Sequence, residues 1–282
     1  MVVRSLRSVV RSVVLVALLL AAIADGWLRK RLFGMRVGPQ GAVWVHGWCR
    51  RIVRVLGLRC TIEGPLPEAG ERGLAVVSNH LSYLDILMYS AARPFVMVSK
   101  TEVRGWPLIG WITAQAGTIY VERADVAGGQ KQTHAEVNAA MAEAYRSGLP
   151  VLFFPEGTTT DGSEILPFRR GLFNSVVVDD VPVQAVAVGY SLDEENAGAA
   201  VGQDVCYWGE MVFGPHLFGC LGLRGVHTHI RFGARIAGTD RFQLAVNSRD
   251  EVVRLYEGLT QEAPSFAERA ETGALLRGMA CR

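Results

Sequence analysis

The 282-residue chain has no uninterrupted apolar run of eighteen residues, no Cys-x-x-Cys pair, no Gly-x-Ser-x-Gly, no internal repeat and no low-complexity segment. Each absence excludes something. The longest apolar run, Val13 to Ala24, is twelve residues; as a helix it spans about 18 Å against a hydrocarbon core of about 30 Å, so it cannot cross a bilayer alone. Five cysteines without metal-type spacing predict reduced thiols, with neither a disulfide framework nor a zinc site. "GYSLD", Gly189 to Asp193, lacks the second glycine of a nucleophile elbow. Acids are nearly missing from the first sixty positions, where eleven Lys and Arg face Asp25 alone; that segment carries +10 and the remainder −8. The cations alternate with Trp27, Trp44 and Trp48, which suits an anionic membrane surface. On a nucleic-acid backbone the apolar side chains between them would have no role.

Extending the apolar run back to Val9 takes in Arg11, which would have to snorkel, so the expectation is an anchor that is half-inserted or steeply tilted. A basic start, a short apolar segment and "AIA" at Ala22 to Ala24 also fit a cleavable signal peptide, whereas Arg29, Lys30 and Arg31 favour a segment retained on the cytoplasmic side. "VWVHGWCRRIVRVLGL" sets Trp44, Trp48, Ile52, Val55 and Leu56 on one side of a helix, with Arg50, Arg51 and Arg54 largely opposite. This predicts a helix lying in the membrane interface; the alternative is a helix packed on the domain with a solvated basic face.

From Cys60 onward short apolar runs ("LAVVSN", "PFVMVSK", "TIYVER", "VLFF", "VPVQAVAVGY", "VHTHIRFGARI") alternate with helical patterns. The class is α/β, a mainly parallel sheet flanked by helices and preceded by membrane-associating helices. The expected organisation is an anchoring module over residues 1–60, an α/β domain over 61–245 and a charged helical tail over 246–282. Ligand sites in such sheets lie beyond the carboxyl ends of the strands, where His80 and Glu156 fall.

His80 ends an apolar strand, and Asp85 follows it by five residues in "SNHLSYLD", with Ser82 placed to cap the next helix. Asp85 can bond backbone amides of the helix start. It can instead hold His80 Nδ1, fixing the tautomer and leaving Nε2 to accept a proton. Glu156, in "VLFFPEGTTTDG", is a turn residue or a cleft residue; Gly157 lets backbone approach a ligand and Thr158 supplies a hydroxyl and an amide. His227 and His229 share a strand face, but no third metal ligand is evident and they read as ordinary strand histidines. "YWGEMVFGPHLFG" reads as packing or as lining for acyl chains.

"NHLSYLD", "GTIYVER", "FPEGT" and "VPVQAVAVGY" occur in the order of four motif blocks of the glycerolipid acyltransferases, and residues 73–190 resemble that family. The resemblance implies that His80 is the general base for the acceptor hydroxyl and that Asp85 orients it. Lys100 and Arg123 would hold an acceptor phosphate, and Glu156, Gly157 and Thr158 would help form the acceptor pocket. It further implies acyl-CoA or an acylated carrier protein as donor, no cofactor and no metal, a lysophospholipid acceptor, foremost 1-acylglycerol-3-phosphate, and residence on the cytoplasmic face of the inner membrane.

Many members follow Glu-Gly-Thr with arginine, where this chain has Thr159. Arg169 and Arg170 are the nearby cations that could compensate. Lyso-ornithine lipid acyltransferases in the family act on an acceptor without phosphate. The rival expectations are a thioesterase or lipase, in which water replaces the acceptor, and a non-catalytic membrane scaffold.

Overall fold

The computed structural model describes residues 2–67, 73–121, 134–196 and 198–271. Seven short strands rich in Val, Ile and Ala form one sheet: β1 (Arg59–Glu63), β2 (Ala75–Ser78), β3 (Val96–Lys100), β4 (Ile119–Val121), β5 (Val151–Phe153), β6 (Val183–Leu192) and β7 (Val226–Ile236). Their order is β1-β7-β6-β2-β5-β3-β4. All neighbours are parallel except β6 and β7. The apolar runs are continuous because both faces are covered.

One face packs under α5 (His134–Arg146), α6 (Phe173–Val178) and α8 (Arg241–Glu271), where Val77, Phe153 and Ala185 meet Met141, Phe173 and Val252. On the other face, Val76, Leu152 and Val188 pack against Met88 and Tyr89 of α3 (Tyr83–Ala92) and Val53 of α2 (Pro39–Leu56). The segment beginning at Ser248 lies within α8, where Val252, Leu255 and Leu259 are core residues. From β2 the chain crosses to β3, on one side, and from β5 it returns to β6, on the other. The two crossovers leave the paired strands β2 and β5 toward opposite faces of the sheet, α3 on one and α6 on the other, and open a crevice at the carboxyl ends of the strands.

α1 runs from Val2 to Phe33, about 48 Å of helix, and its window of mean hydropathy 2.2 is 11% buried. By length and composition it could cross a membrane. Yet it is pinned to the domain at both ends. Arg4 Nη2 donates to Asp204 Oδ1 at 2.6 Å, Arg7 to the Gly222 carbonyl at 2.9 Å, and Arg11 to the Leu223 and Leu221 carbonyls at 2.6 and 3.2 Å. The last three contacts fall at the carboxyl end of α7 (Phe213–Leu221), where carbonyls lack intrahelical partners. Arg11 therefore does not snorkel to a lipid surface; its charge is met inside the protein.

At the far end, Asp25 Oδ2 accepts the indole N–H groups of Trp44 and Trp48, each at 2.9 Å, and Lys30 donates to Gln115 of α4 (Ile109–Gln115) at 2.9 Å. The expectation that the apolar side of α2 lies in the interface is corrected for most of that side: Trp44, Ile52 and Leu56 are buried in the protein and Trp48 is partly buried, while Val55 is exposed together with Arg51 and Arg54. The near-absence of acids before residue 60 concealed the reason, since Asp25 is the acceptor that draws both indoles inward. Gly57 ends α2 in the left-handed conformation, the usual glycine termination.

Candidate active site

β2 ends at Ser78, and Asn79 continues its pairing with β6 through a side chain: Nδ2 donates to the Val188 carbonyl at 2.8 Å and Oδ1 accepts from Val188 N at 2.9 Å. This fixes the chain where His80 leaves the sheet. Both backbone polar groups of His80 are then held by the loop after β5. Its N–H donates to Glu156 Oε1 at 2.8 Å, and its carbonyl accepts from Thr160 N at 3.0 Å.

Asp85 makes both of the contacts that the spacing allowed. Oδ2 accepts from Leu81 N at 2.7 Å, from Ser82 N at 3.0 Å and from His80 Nδ1 at 2.7 Å, while Tyr190 Oη donates to Oδ1. One carboxylate thus caps the first turn of α3 and holds the imidazole. Ser82, placed by sequence as a cap, is the N-cap residue of α3 and forms a capping box with Asp85, while its Oγ also donates to the Val205 carbonyl at 2.8 Å. Burial, together with the charge of Asp85, raises the Tyr190 hydroxyl well above its ordinary value, so it remains a donor. With Nδ1 committed, Nε2 is the ring nitrogen left to take a proton. Phe154 stacks on the ring at 4.0 Å with 13° between planes. Asp85 is 0% exposed and the His80 side chain 18%, so the acid lies behind the ring and the ring meets the opening.

That opening is a cavity of about 790 Å³, within the usual range for ligand sites. His80, Lys100, Gly157, Thr159 and Arg169 supply part of its polar wall, and Leu15 and Leu19 of α1, Ile52, Leu87, Ile112 and Leu217 part of its apolar wall. Tyr207 and Phe213, from the stretch read as packing or acyl lining, also line it. Gly157 has φ +72°, and a Cβ there would lie 2.8 Å from Arg169 Nε, so glycine is what lets the guanidinium close over this loop.

Glu156 is set back from the lining. It is 3% exposed, and its second oxygen accepts from Leu166 N at 2.8 Å. Burial pushes its carboxyl up to about 7, against the lowering effect of the Leu166 and His80 amides. α8 braces the same loop, with Arg249 donating to the Ile165 carbonyl at 2.6 Å and Tyr256 to the Gly162 carbonyl at 2.9 Å. Thr158 is partly exposed, beside the lining residues Gly157 and Thr159. Arg123 lies outside the described residues.

Sequence reasoning missed Tyr190, Asn79 and Phe154. Phe154 directly precedes Pro-Glu-Gly, and Tyr190 lies near the end of β6, but no spacing signals which acid or ring either would meet. His227 and His229 lie elsewhere, with rings 4.2 Å apart and Nε2 atoms bonded to Thr61 and Ser191 hydroxyls at 2.8 and 2.9 Å. Burial pushes His227 down to about 4. Among the described residues no group of three or more His, Cys, Asp or Glu is placed to hold a metal ion.

A family model described as Acyltransferase matches residues 58–189. A lyso-ornithine lipid O-acyltransferase of Pseudomonas aeruginosa is 33% identical over 91% of this chain and 94% of its own length. A 1-acyl-sn-glycerol-3-phosphate acyltransferase of Neisseria meningitidis serogroup B is 33% identical over 56% of this chain and 62% of its own. The crystal structure of the 1-acyl-sn-glycerophosphate (LPA) acyltransferase PlsC from Thermotoga maritima shares the fold, with a TM-score of 0.60 and 18% identity over 89% of this chain and 98% of that one.

Proposed function

The chain belongs to the acyltransferase family, and from that premise we propose that it moves a fatty acyl group from a thioester to the hydroxyl of a lysolipid, with His80 as general base. The observation that carries this is the His80 Nδ1 to Asp85 Oδ2 contact of 2.7 Å at the wall of the cavity. Nε2 takes the acceptor's proton as its oxygen attacks the thioester carbonyl. The tetrahedral intermediate then expels the thiolate, which takes the proton back from the imidazolium. Asp85 stabilises that cation, and general-base help of this kind contributes about 10²- to 10⁴-fold. The donor is acyl-CoA or an acylated carrier protein, and its chain lies in the apolar part of the cavity beneath α1.

α1 rests flat on the lipid surface of the inner membrane's cytoplasmic face. Both its ends are tied to the same domain, while Val3, Leu6, Val10, Val13, Leu20 and Trp27 are exposed along its length. A helix so held cannot cross a bilayer without taking the domain with it, whereas an in-plane apolar face brings the cavity to its lipid.

Lyso-ornithine lipid is the acceptor favoured here. The relative aligned over nearly the whole chain is named for it, and the residue after Glu-Gly-Thr is the neutral Thr159. 1-Acylglycerol-3-phosphate is the second reading, favoured by Lys100 and Arg169 in the cavity wall and by the name of the Neisseria relative. The test is turnover of labelled acyl-CoA and acyl carrier protein by the purified full chain, with each lysolipid and with none. Acyl release into water without acceptor would mark a hydrolase, and no turnover with any acceptor a scaffold.

A further inference from the structure

We propose that Arg4 and Asp204 form a positioning pair through which the seating of α1 sets the geometry of the His80–Asp85 turn. Arg4 lies in the first turns of α1 on the side that faces the domain, with Arg7 and Arg11, while Val3, Leu6 and Val10 are exposed on the other side. Its guanidinium donates to Asp204 Oδ1 at 2.6 Å. Asp204 closes the π-turn Val201–Val205 on itself, its N–H donating to the Ala200 carbonyl at 2.8 Å and its Oδ2 accepting from Ala200 N at 3.0 Å.

The segment that follows grips the catalytic turn twice. The Val205 carbonyl accepts from Ser82 Oγ at 2.8 Å, and Tyr207 N donates to the Leu81 carbonyl at 2.8 Å. Leu81 and Ser82 are the residues whose N–H groups hold Asp85 Oδ2. The peptide units that fix the acid are therefore clamped from one side by Asp85 and from the other by a segment tied to α1. A shift of that segment rotates the two amides and changes the contact on His80 Nδ1. Because the amides point at a buried carboxylate, small displacements weaken several hydrogen bonds together. Surface ion pairs contribute little to stability, so the effect belongs in turnover more than in melting.

This inference rests on the acyl-transfer reading, and wild-type turnover with a lysolipid tests that reading first. The variants are Arg4→Gln and Asp204→Asn, with Arg4→Lys, which keeps the charge opposite Asp204, as rescue and Arg146→Gln, which removes an exposed pair with Glu143, as control. On lipid vesicles we expect Arg4→Gln and Asp204→Asn each to lower kcat three- to tenfold while KM for acyl-CoA changes less than twofold and Tm stays near that of the control variant. Arg4→Lys should keep at least half of the wild-type kcat. In proton NMR the low-field resonance of His80 Nδ1–H should move in Asp204→Asn and stay fixed in Arg146→Gln. Wild-type kcat in both Arg4→Gln and Asp204→Asn, losses that follow Tm, an Arg4→Lys no better than Arg4→Gln, or an unmoved resonance would each overturn the proposal.

Discussion

Two histidine sites in this chain look alike in sequence and differ in every property that matters for chemistry. His80 stands at the end of a strand beside a buried carboxylate, with a ring edge at a cavity. His227 and His229 sit within a strand, their Nε2 atoms bonded to the hydroxyls of Thr61 and Ser191. Burial with no carboxylate partner holds His227 in its neutral form, and the neighbouring His229 adds to that. A hydroxyl orients an imidazole but does not stabilise its cation; a carboxylate does both. What makes a histidine a base here is the acid behind it and the opening in front of it.

The sharpest test of that contrast is His80→Ala, which should lower kcat about 10³-fold with the protein still folded; near-normal turnover would place the base elsewhere. Asp85→Asn should cost about 10²-fold in kcat and also lower Tm, because Leu81, Ser82, His80 and Tyr190 all lose their charged acceptor.

The next effect is on stability. The folded state keeps a proton on Glu156 up to about 7, whereas its ordinary value is 4.5. The unfolded chain releases that proton first, so stability falls as pH rises between those values and levels off above, by at most about 1.4 kcal/mol per pH unit. Thermal melts of Glu156→Gln should show a weaker decline from pH 5 to 7.5 than wild type. A smaller change is expected for Arg169→Ala, where KM for an anionic acceptor should rise about fivefold at nearly constant kcat, from about 1 kcal/mol of lost binding at an exposed cation. Smallest is His227→Gln, which keeps a polar group toward Thr61 and should leave kcat within about twofold of wild type; a large loss there would erase the contrast between the two sites.

Much of this was legible in the chain. The strand and helix succession from Cys60 predicted a mainly parallel sheet with its site beyond the strand carboxyl ends, since continuous apolar runs fit strands covered on both faces; the strand order that sets β2 beside β5 was not legible. His80 and Asp85 were visible because five residues bring a strand end and a first helical turn together locally. Glu156 was visible as a strand-end carboxylate, but its partners, His80 N and Leu166 N, were not. The first arises from the pairing of β2 with β5, seventy-six residues apart at the site, and the second from the fold of the loop after β5. The N-terminal helices were legible as helices, but their facing was misread. Hydropathy marks an apolar stripe without saying whether lipid or protein covers it, and one acid among eleven cations gives no sign that it will bind two tryptophans.

The sequence by itself determined the elements, their class and the residue types able to move a proton, because periodicity, strand-end placement and local spacing are properties of the chain. The tertiary structure alone decided that Tyr190 and Asp85 would meet, that Glu156 would brace backbone, and that Arg4, Arg7 and Arg11 of α1 would bond the domain. Those contacts join residues far apart in sequence, and which partner each polar group finds is set by how the sheet and its covering helices pack.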